Sequence, residues 1–402
     1  MRTPYNLAIV STHPIQYHAP WFRGLAEHPD LKIHVYYCHK ATAEEQARAG
    51  FGVAFDWDVP LLEGYPHTFL RNVANPAGPG RFAGFDTPEI KNIIRRGQYD
   101  AVLINGWHYK SAWQAIWTCW KSRVKVMIRG DSHLHNVRST PVRLAKSVVY
   151  SRFIPRFDAC LSVGQWSREY FLHYGASPER IFLVPHTVDL DAMGGDADRL
   201  LSIRSELRKG WAIDPNATTF VFVGKFTETK RPMDFVRAVS EAAKQNVAVQ
   251  GLMVGDGPLR SVCEDFVHTH HVPISFTGFL NQSQILSAYV AADALVLPSA
   301  GETWGLVVNE AMACGRPCIV SDHVGCGPDL IEAGRTGAIF PAGDVDALAA
   351  LMTGLARDSS RLAFMSKEAR RRIQKHSIQA AVEGVLQCLS AITGSRTLVC
   401  NC

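Results

Sequence analysis

Short apolar runs recur along this chain with helix-length amphipathic stretches between them, and that alternation constrains the fold more than any other feature. In the first half the runs are Leu7–Val10, Lys32–Tyr37, Ala101–Ile104, Val124–Ile128, Ala159–Val163 and Ile181–Val184. In the second half they are Thr219–Val223, Gln250–Val254, Ile274–Phe276, Ala294–Leu297 and Cys318–Val320. Apolar strands alternating with amphipathic helices are the pattern of parallel α/β sheets. At 402 residues the chain exceeds what one core usually holds. The expected fold class is therefore α/β, with two Rossmann-like parallel-sheet domains facing across a cleft, where such folds bind ligands. The joint is expected in residues 189–216, where composition shifts to Gly and Asp and Pro215 ends the segment. That gives an N-terminal domain over residues 1–190 and a C-terminal domain over 191–376, with a last helix at about 377–394 packing back on the first. Residues 64–90, rich in Pro and Gly, read as a loop excursion that shapes an acceptor site. The basic run Arg370-Arg-Arg372 reads as a solvated helix face.

Composition narrows the class. Hydrophobic content of 47% and charged content of 20% fit a globular protein. No run approaches the roughly 18 apolar residues of a membrane-spanning helix. The N-terminus enters a strand too early for a signal peptide. The ten cysteines form no Cys-x-x-Cys, so neither structural zinc nor a disulfide framework is expected, and a reducing cytoplasm is. The terminal Cys400-Asn-Cys402 reads as a frayed tail or as a lipidation signal, although it fits no lipidation motif. Residues 1–190 carry 22 Lys/Arg against 15 Asp/Glu, a balance of +7, while residues 191–402 carry 20 against 22, or −2. A basic first half points to an anionic partner. The positive charge is diffuse and no nucleic-acid module is present, so nucleic acid is not the expected partner. The basic residues within 138–156 read either as a membrane-contacting helix or as an ordinary packed helix with a basic face.

The chemistry concentrates in the second half. Glu302 lies in the loop after the strand Ala294–Leu297, and Glu310 lies in the helix that follows. Between them the backbone N–H groups near Gly305 stand at a helix N-terminus, a natural anion site. Two carboxylates around a phosphate cradle suit a nucleotide sugar. Lys225 and Lys230 straddle the loop after Thr219–Val223, placed to meet a diphosphate. The turn Val254-Gly-Asp-Gly-Pro258 has Arg260 where a dinucleotide fingerprint has its third small residue, so it reads as a tight strand-to-helix turn and not an NAD site. Backbone groups at Gly278, Phe279 and Leu280 read either as contacts to a base edge or as a simple turn. Asp-x-Asp occurs at Asp56–Asp58, Asp189–Asp191, Asp196–Asp198 and Asp344–Asp346. None sits on a nucleotide-binding turn, so all read as surface or turn carboxylates, and no metal is expected.

Taken in order, Phe222-Val-Gly-Lys225, Val254-Gly-Asp-Gly-Pro258, Phe276-Thr-Gly278, Ala292 to Ser299, Glu302-Thr-Trp-Gly-Leu306, Glu310 to Gly315 and Pro328-Asp-Leu-Ile331 resemble the C-terminal domain of the family 4 retaining glycosyltransferases, which have the GT-B fold. Val184-Pro-His-Thr-Val-Asp189 resembles that family's Pro-Asn-Gly-Val-Asp turn. The resemblance implies that Glu302 holds hydroxyls of the donor sugar and Glu310 the ribose hydroxyls. It implies that amides of Gly305, Leu306 and Val307 hold the diphosphate, with Lys225 and Lys230 neutralising its charge as it departs. Lys225 stands where the family usually has Arg.

The first half departs from that pattern. Where the family has a Gly-Gly loop, this chain has Ser11-Thr-His-Pro-Ile-Gln-Tyr-His18. His13, Gln16, Tyr17 and His18 either contact the acceptor or close the turn. At the family's catalytic-site histidine stands Arg129, followed by Asp131 and His133; any of the three can fill that place. Trp107 and His108 read as acceptor-pocket lining or as structural residues. The expected activity is retaining sugar transfer from a nucleoside-diphosphate sugar, the co-substrate, to a glycan or lipid-linked acceptor, with no cofactor. A GT-B epimerase or hydrolase, or a catalytically silent scaffold subunit, are the alternatives.

Overall fold

The computed structural model describes residues 3–47, 53–135 and 140–394. Two compact units result: residues 1–41, 60–186 and 378–402 form the first, and residues 42–59 and 187–377 the second. Residues 42–59, which the sequence places inside the first domain, thus belong to the second unit.

In the first unit the strands are β1 (Tyr5–Ser11), β2 (Leu31–Tyr37), β3 (His67–Phe69), β4 (Ala101–Asn105), β5 (Lys125–Gly130), β6 (Ala159–Ser162) and β7 (Ile181–Leu183). They form one sheet in the order β3-β2-β1-β4-β5-β6-β7, with every pair parallel. Alternate residues feed two cores. Ala8, Val10, Val102, Ile104, Val126 and Ile128 face one cluster, and Leu7, Ile9, Ala101, Leu103, Met127 and Leu161 face the other. Burial on both faces is why these strands read as unbroken apolar runs. The last helix, Ile378–Thr393, closes the second cluster with Ala381, Val382, Val385, Cys388 and Leu389. Gly384 lets it approach, because a Cβ there would collide with the Leu183 carbonyl oxygen. The excursion at 64–90 contributes β3 at the sheet edge, a strand too short to show as an apolar run.

In the second unit the strands are β8 (Thr218–Val223), β9 (Val249–Val254), β10 (Ile274–Gly278), β11 (Ala294–Leu297), β12 (Cys318–Ser321) and β13 (Gly337–Phe340), ordered β10-β9-β8-β11-β12-β13 and all parallel. In both sheets the strand order reverses once, between β1 and β4 and between β8 and β11. The crevice at the carboxyl ends of such a pair is where open α/β sheets bind ligands. The segment 189–216 is not a loose joint: it forms helices Leu190–Leu201 and Arg204–Gly210. The run Arg370-Arg-Arg372 is not wholly a solvated face. Arg370 donates to the Ala313 carbonyl and pairs with Asp198 at 2.8 Å, and Arg372 donates to the Asp329 carbonyl. Only Arg371, beside Glu368, is well exposed.

Eight cysteines among the described residues are buried free thiols. Cys400 and Cys402 lie outside the described residues, as do residues 136–139 of the basic stretch. Among the described residues no helix is long and apolar enough to cross a membrane.

Candidate active site

The carboxyl ends of β8 and β11 carry the second unit's polar residues. After β11 the chain runs through buried Ser299 to Glu302, and the loop is fastened on both sides. The Ala300 amide donates to the Thr229 carbonyl at 2.8 Å, tying it to the lysine loop after β8. The Glu302 amide donates to the His323 carbonyl at 3.1 Å, and the Gly325 amide donates to the Glu302 carbonyl at 3.0 Å. A side chain at Gly325 would collide with the Thr303 carbonyl oxygen, so glycine is required for this approach. The two loops meet in an ion pair between Lys230 Nζ and Glu302 Oε2, with both side chains largely buried.

Burial, and then the neighbouring Lys225 ammonium, push the Lys230 amine down to about 8. Lys225 is likewise lowered by burial. Two desolvated ammonium groups and one carboxylate leave a local excess of positive charge. It stands beside the helix Leu306–Ala313, whose N-cap is Gly305 at φ 100°. No side chain caps this end. First-turn amides, here Gly305, Leu306 and Val307, have no intrahelical acceptors and carry the positive end of the helix dipole. Together they make a seat for an anion with two or more charges.

Glu310 lies one turn further on, with no solvent exposure. Its Oε1 accepts from Gln282 Nε2 at 3.1 Å and its Oε2 from Tyr289 OH at 2.7 Å. Gln282 and Tyr289 lie seven residues apart on the helix Gln282–Ala291, and so share a face. Sequence reasoning missed both; the seven-residue spacing was the available signal. Each carboxylate oxygen can accept a further bond. Gly278, Phe279 and Leu280 follow at the end of β10, part exposed. Phe279 packs on Phe55 at 4.4 Å, Asn281 Nδ2 donates to the Asp56 carbonyl at 2.8 Å, and the Ser283 hydroxyl donates to Asp58. Residues 53–59 are therefore strapped across the turn after β10.

The glycines after β8 and β9 serve the backbone. A Cβ at Gly255 would collide with the Gly224 carbonyl oxygen, and one at Gly257 would come within 2.8 Å of Phe226 backbone atoms. The acidic pairs are structural too. Asp189 and Asp344 cap helices by accepting from Ala192 N at 3.1 Å and Ala347 N at 2.9 Å. Asp196 pairs with Arg199, and Asp58 holds Ser283.

In the first unit a second polar group collects at the ends of β1, β4 and β5. Arg129 is 4% exposed, with its guanidinium 4.6 Å above the Trp21 ring. Its Nη2 donates at 3.3–3.4 Å to the carbonyls of Val184 and Pro185 and to His186 Nδ1. Asn105 Nδ2 donates to His18 Nδ1 at 3.1 Å. Asp131 Oδ2 lies 4.0 Å from His186 Nε2. Burial and the Arg129 charge hold His18 and His186 well below the usual histidine range, so both are neutral at pH 7. Burial pushes Arg129 down to about 10, which leaves it charged.

Other predicted residues sit around this group. His13 Nδ1 is 3.1 Å from Thr12 Oγ1, Gln16 is part exposed, and Tyr17 precedes the helix His18–Glu27. His133 packs on Trp166 at 5.0 Å. Trp107 is a core residue, covered by Gly130 and Phe171, whereas His108 is exposed. His186 and Asn105 were not singled out from sequence, although His186 visibly replaces Asn in the turn it resembles.

The family model described as Glycosyltransferase Family 4 matches residues 22–192, and that described as Glycosyl transferases group 1 matches residues 203–372. A D-inositol 3-phosphate glycosyltransferase of Rhodococcus opacus is 26% identical over 423 residues, covering 96% of this chain and 90% of that protein. The sulfoquinovosyl transferase SQD2 of Arabidopsis thaliana is 28% identical over 282 residues, covering 64% of this chain and 53% of that one. Among solved structures, Anabaena HepE in complex with UDP superposes with a TM-score of 0.71 at 17% identity, covering 96% of this chain and all of that one. A Rickettsia africae glycosyltransferase gives 0.75 at 14% identity, covering 97% and 99%. With both sheets parallel and both halves matched, the fold is GT-B and the chain belongs to the group 1, family 4 glycosyltransferases.

Proposed function

We propose that this glycosyltransferase moves a hexose, with retention of anomeric configuration, from a nucleoside-diphosphate sugar to a glycan or lipid-linked acceptor in cell-surface polysaccharide or lipopolysaccharide assembly. The observation that carries the donor reading is the Lys225–Lys230–Glu302 group beside the uncapped helix at Gly305. A departing nucleoside diphosphate gains negative charge in the transition state. Desolvated lysines and free amides aimed at it stabilise that charge more than they stabilise the bound donor. These groups, and not a divalent metal or another cofactor, are proposed to carry the charge. Glu302 holds hydroxyls of the transferred sugar, Glu310 the ribose, and the Gly278–Leu280 backbone the base edge. In a front-face reaction the acceptor proton passes to the donor's own phosphate. The presence of UDP in the Anabaena structure supports a nucleotide donor.

The test is a panel of nucleoside-diphosphate sugars incubated with and without oligosaccharide and lipid-linked acceptors, scored by nucleoside diphosphate release and by the anomer of the product. Acceptor-dependent release and a retained anomer are expected. Release without acceptor favours an epimerase or hydrolase, and no release under any condition favours a scaffold.

A peripheral membrane site is part of this proposal. On the helix Thr140–Phe153, Leu144 is 64% exposed, and Val148 and Val149 are each 54% exposed. Leu144 and Val148, four residues apart, share a face with exposed Arg152, an arrangement that inserts shallowly beneath anionic headgroups. Burying side chains of this size yields roughly 1.5–3 kcal/mol each, so the double change Leu144→Asp, Val148→Asp should cut co-sedimentation with phosphatidylglycerol vesicles by about tenfold or more. Equal sedimentation of variant and wild type excludes this face as the contact.

A further inference from the structure

Arg129 is a buried cation without a carboxylate partner within ion-pair distance among the described residues. A guanidinium carries five N–H donors in a fixed fork. Here Nη2 is shared among three acceptors at 3.3–3.4 Å, and Nε has no acceptor among the described residues. Asp131, the acid whose charge reaches it, directs its Oδ2 toward His186. The Trp21 face offsets part of the desolvation. Burying an ammonium- or guanidinium-sized charge without pairing it is costly, and its unsatisfied donors add to that cost. An oxyanion would complete the site. Around the guanidinium stand Asn105, His18 and His186, all part exposed, so the charge lies one side chain below the surface. Asn105 Nδ2 lies 3.1 Å from His18 Nδ1 and 3.4 Å from its Nε2, and the neutral ring has one N–H to give. His18 also opens the helix His18–Glu27, whose dipole favours an anion at that end.

We infer that Arg129, with Asn105 and His18, forms a seat in the first unit for the acidic group, a carboxylate or phosphate, of an anionic sugar substrate. This rests on the sugar-transfer reading above, and it restricts the substrate class to acidic sugars. The acid is placed on the acceptor, the substrate read for the first unit.

The test uses the full chain and calorimetric titration. Glucose 6-phosphate, glucuronate and glucose are compared in the presence of excess UDP, which fills the lysine site. UDP-glucuronic acid and UDP-glucose are compared in its absence. The wild type should bind an acidic ligand at least about tenfold more tightly than its neutral counterpart, as hydrogen bonds to a charged group require. Preference among the free sugars supports the seat, and a preference confined to the UDP-sugars overturns it. In Arg129→Met the preference should vanish while UDP affinity persists. Its melting temperature should equal or exceed that of the wild type, because a buried unpaired charge has been removed. Wild-type binding that ignores the acid overturns the inference without needing the variant. A large fall in the melting temperature of Arg129→Met also overturns it, by making the guanidinium a structural tie. Failure of UDP to bind the wild type would instead sink the donor reading.

Discussion

Replacing Lys230 with alanine should lower kcat by about 100- to 1,000-fold, the scale seen when one preorganised donor to developing negative charge is removed. Lys230 is singled out over Lys225 because it is the more deeply desolvated, with its amine down to about 8, and because it contacts Glu302. The alanine change thus removes a cation and releases Glu302, the carboxylate proposed to hold the sugar. The lowered value also gives a pH signature. Below pH 8 the amine is charged and attracts diphosphate; above it the free protein must take up a proton to bind. Affinity for UDP should therefore fall as pH rises through about 8. Lys230→Arg, which stays charged, should flatten that fall while losing some rate through its different geometry. Stability has its own sign. The folded value lies below the usual 10.5, so burial of the charged amine destabilises the native state fully below pH 8, and this penalty is relieved as pH rises from about 8 to 10.5. Transfer by Lys230→Ala within about threefold of wild type would show that the diphosphate leaves elsewhere.

Glu310→Ala should be the most damaging substitution for stability within the site. It strands Gln282 and Tyr289, the two donors now satisfied by the carboxylate, and opens a cavity under a helix that is almost wholly buried. Unsatisfied buried donors and lost packing together suggest about 2–4 kcal/mol, to be read from denaturant unfolding. Glu310→Gln separates binding from folding. It keeps the volume and one acceptor, so most stability should remain, while UDP binds on the order of tenfold more weakly because a charged acceptor for hydroxyls is gone. Pyrophosphate, which has no ribose, should bind both proteins alike. If pyrophosphate weakens as much as UDP, Glu310 acts on the helix terminus and not on the ribose.

The parts of the fold legible in the sequence are those set by local periodicity. The middle of β1, Leu7–Val10, and of β4, Ala101–Ile104, is apolar at every position because both faces are covered, and these runs stood out at once. β3 and β13, three and four residues long with exposed positions, carry too little pattern to register. Glu302, Glu310 and Lys230 could be picked out because turn chemistry and helix starts are local. Their companions could not. Gln282 and Tyr289 reach Glu310 from another helix, and His186 meets Arg129 only because the chain after β7 returns beside β5. Arg370 and Arg372 looked like solvated charge because nothing nearby in sequence reveals the carbonyls they bind. The docking of Phe55 on Phe279 joins residues more than 200 positions apart, and no spacing rule reaches that far.

That same strap has a consequence for how the protein is made. Residues 53–59 leave the ribosome early, yet their hydrogen-bond donors and aromatic partner at 279–283 follow only after more than 200 further residues. At roughly 5–20 residues per second the delay is on the order of 10–45 seconds. The first unit waits longer still, since Ile378–Thr393 shares with His18–Glu27 the covering of one face of its sheet. That unit cannot reach its final state during synthesis of its own strands. A nascent chain stalled before residue 378 would leave bare the part of that face which Ile378–Thr393 covers, so closure of the first core depends on a segment made long after its last strand.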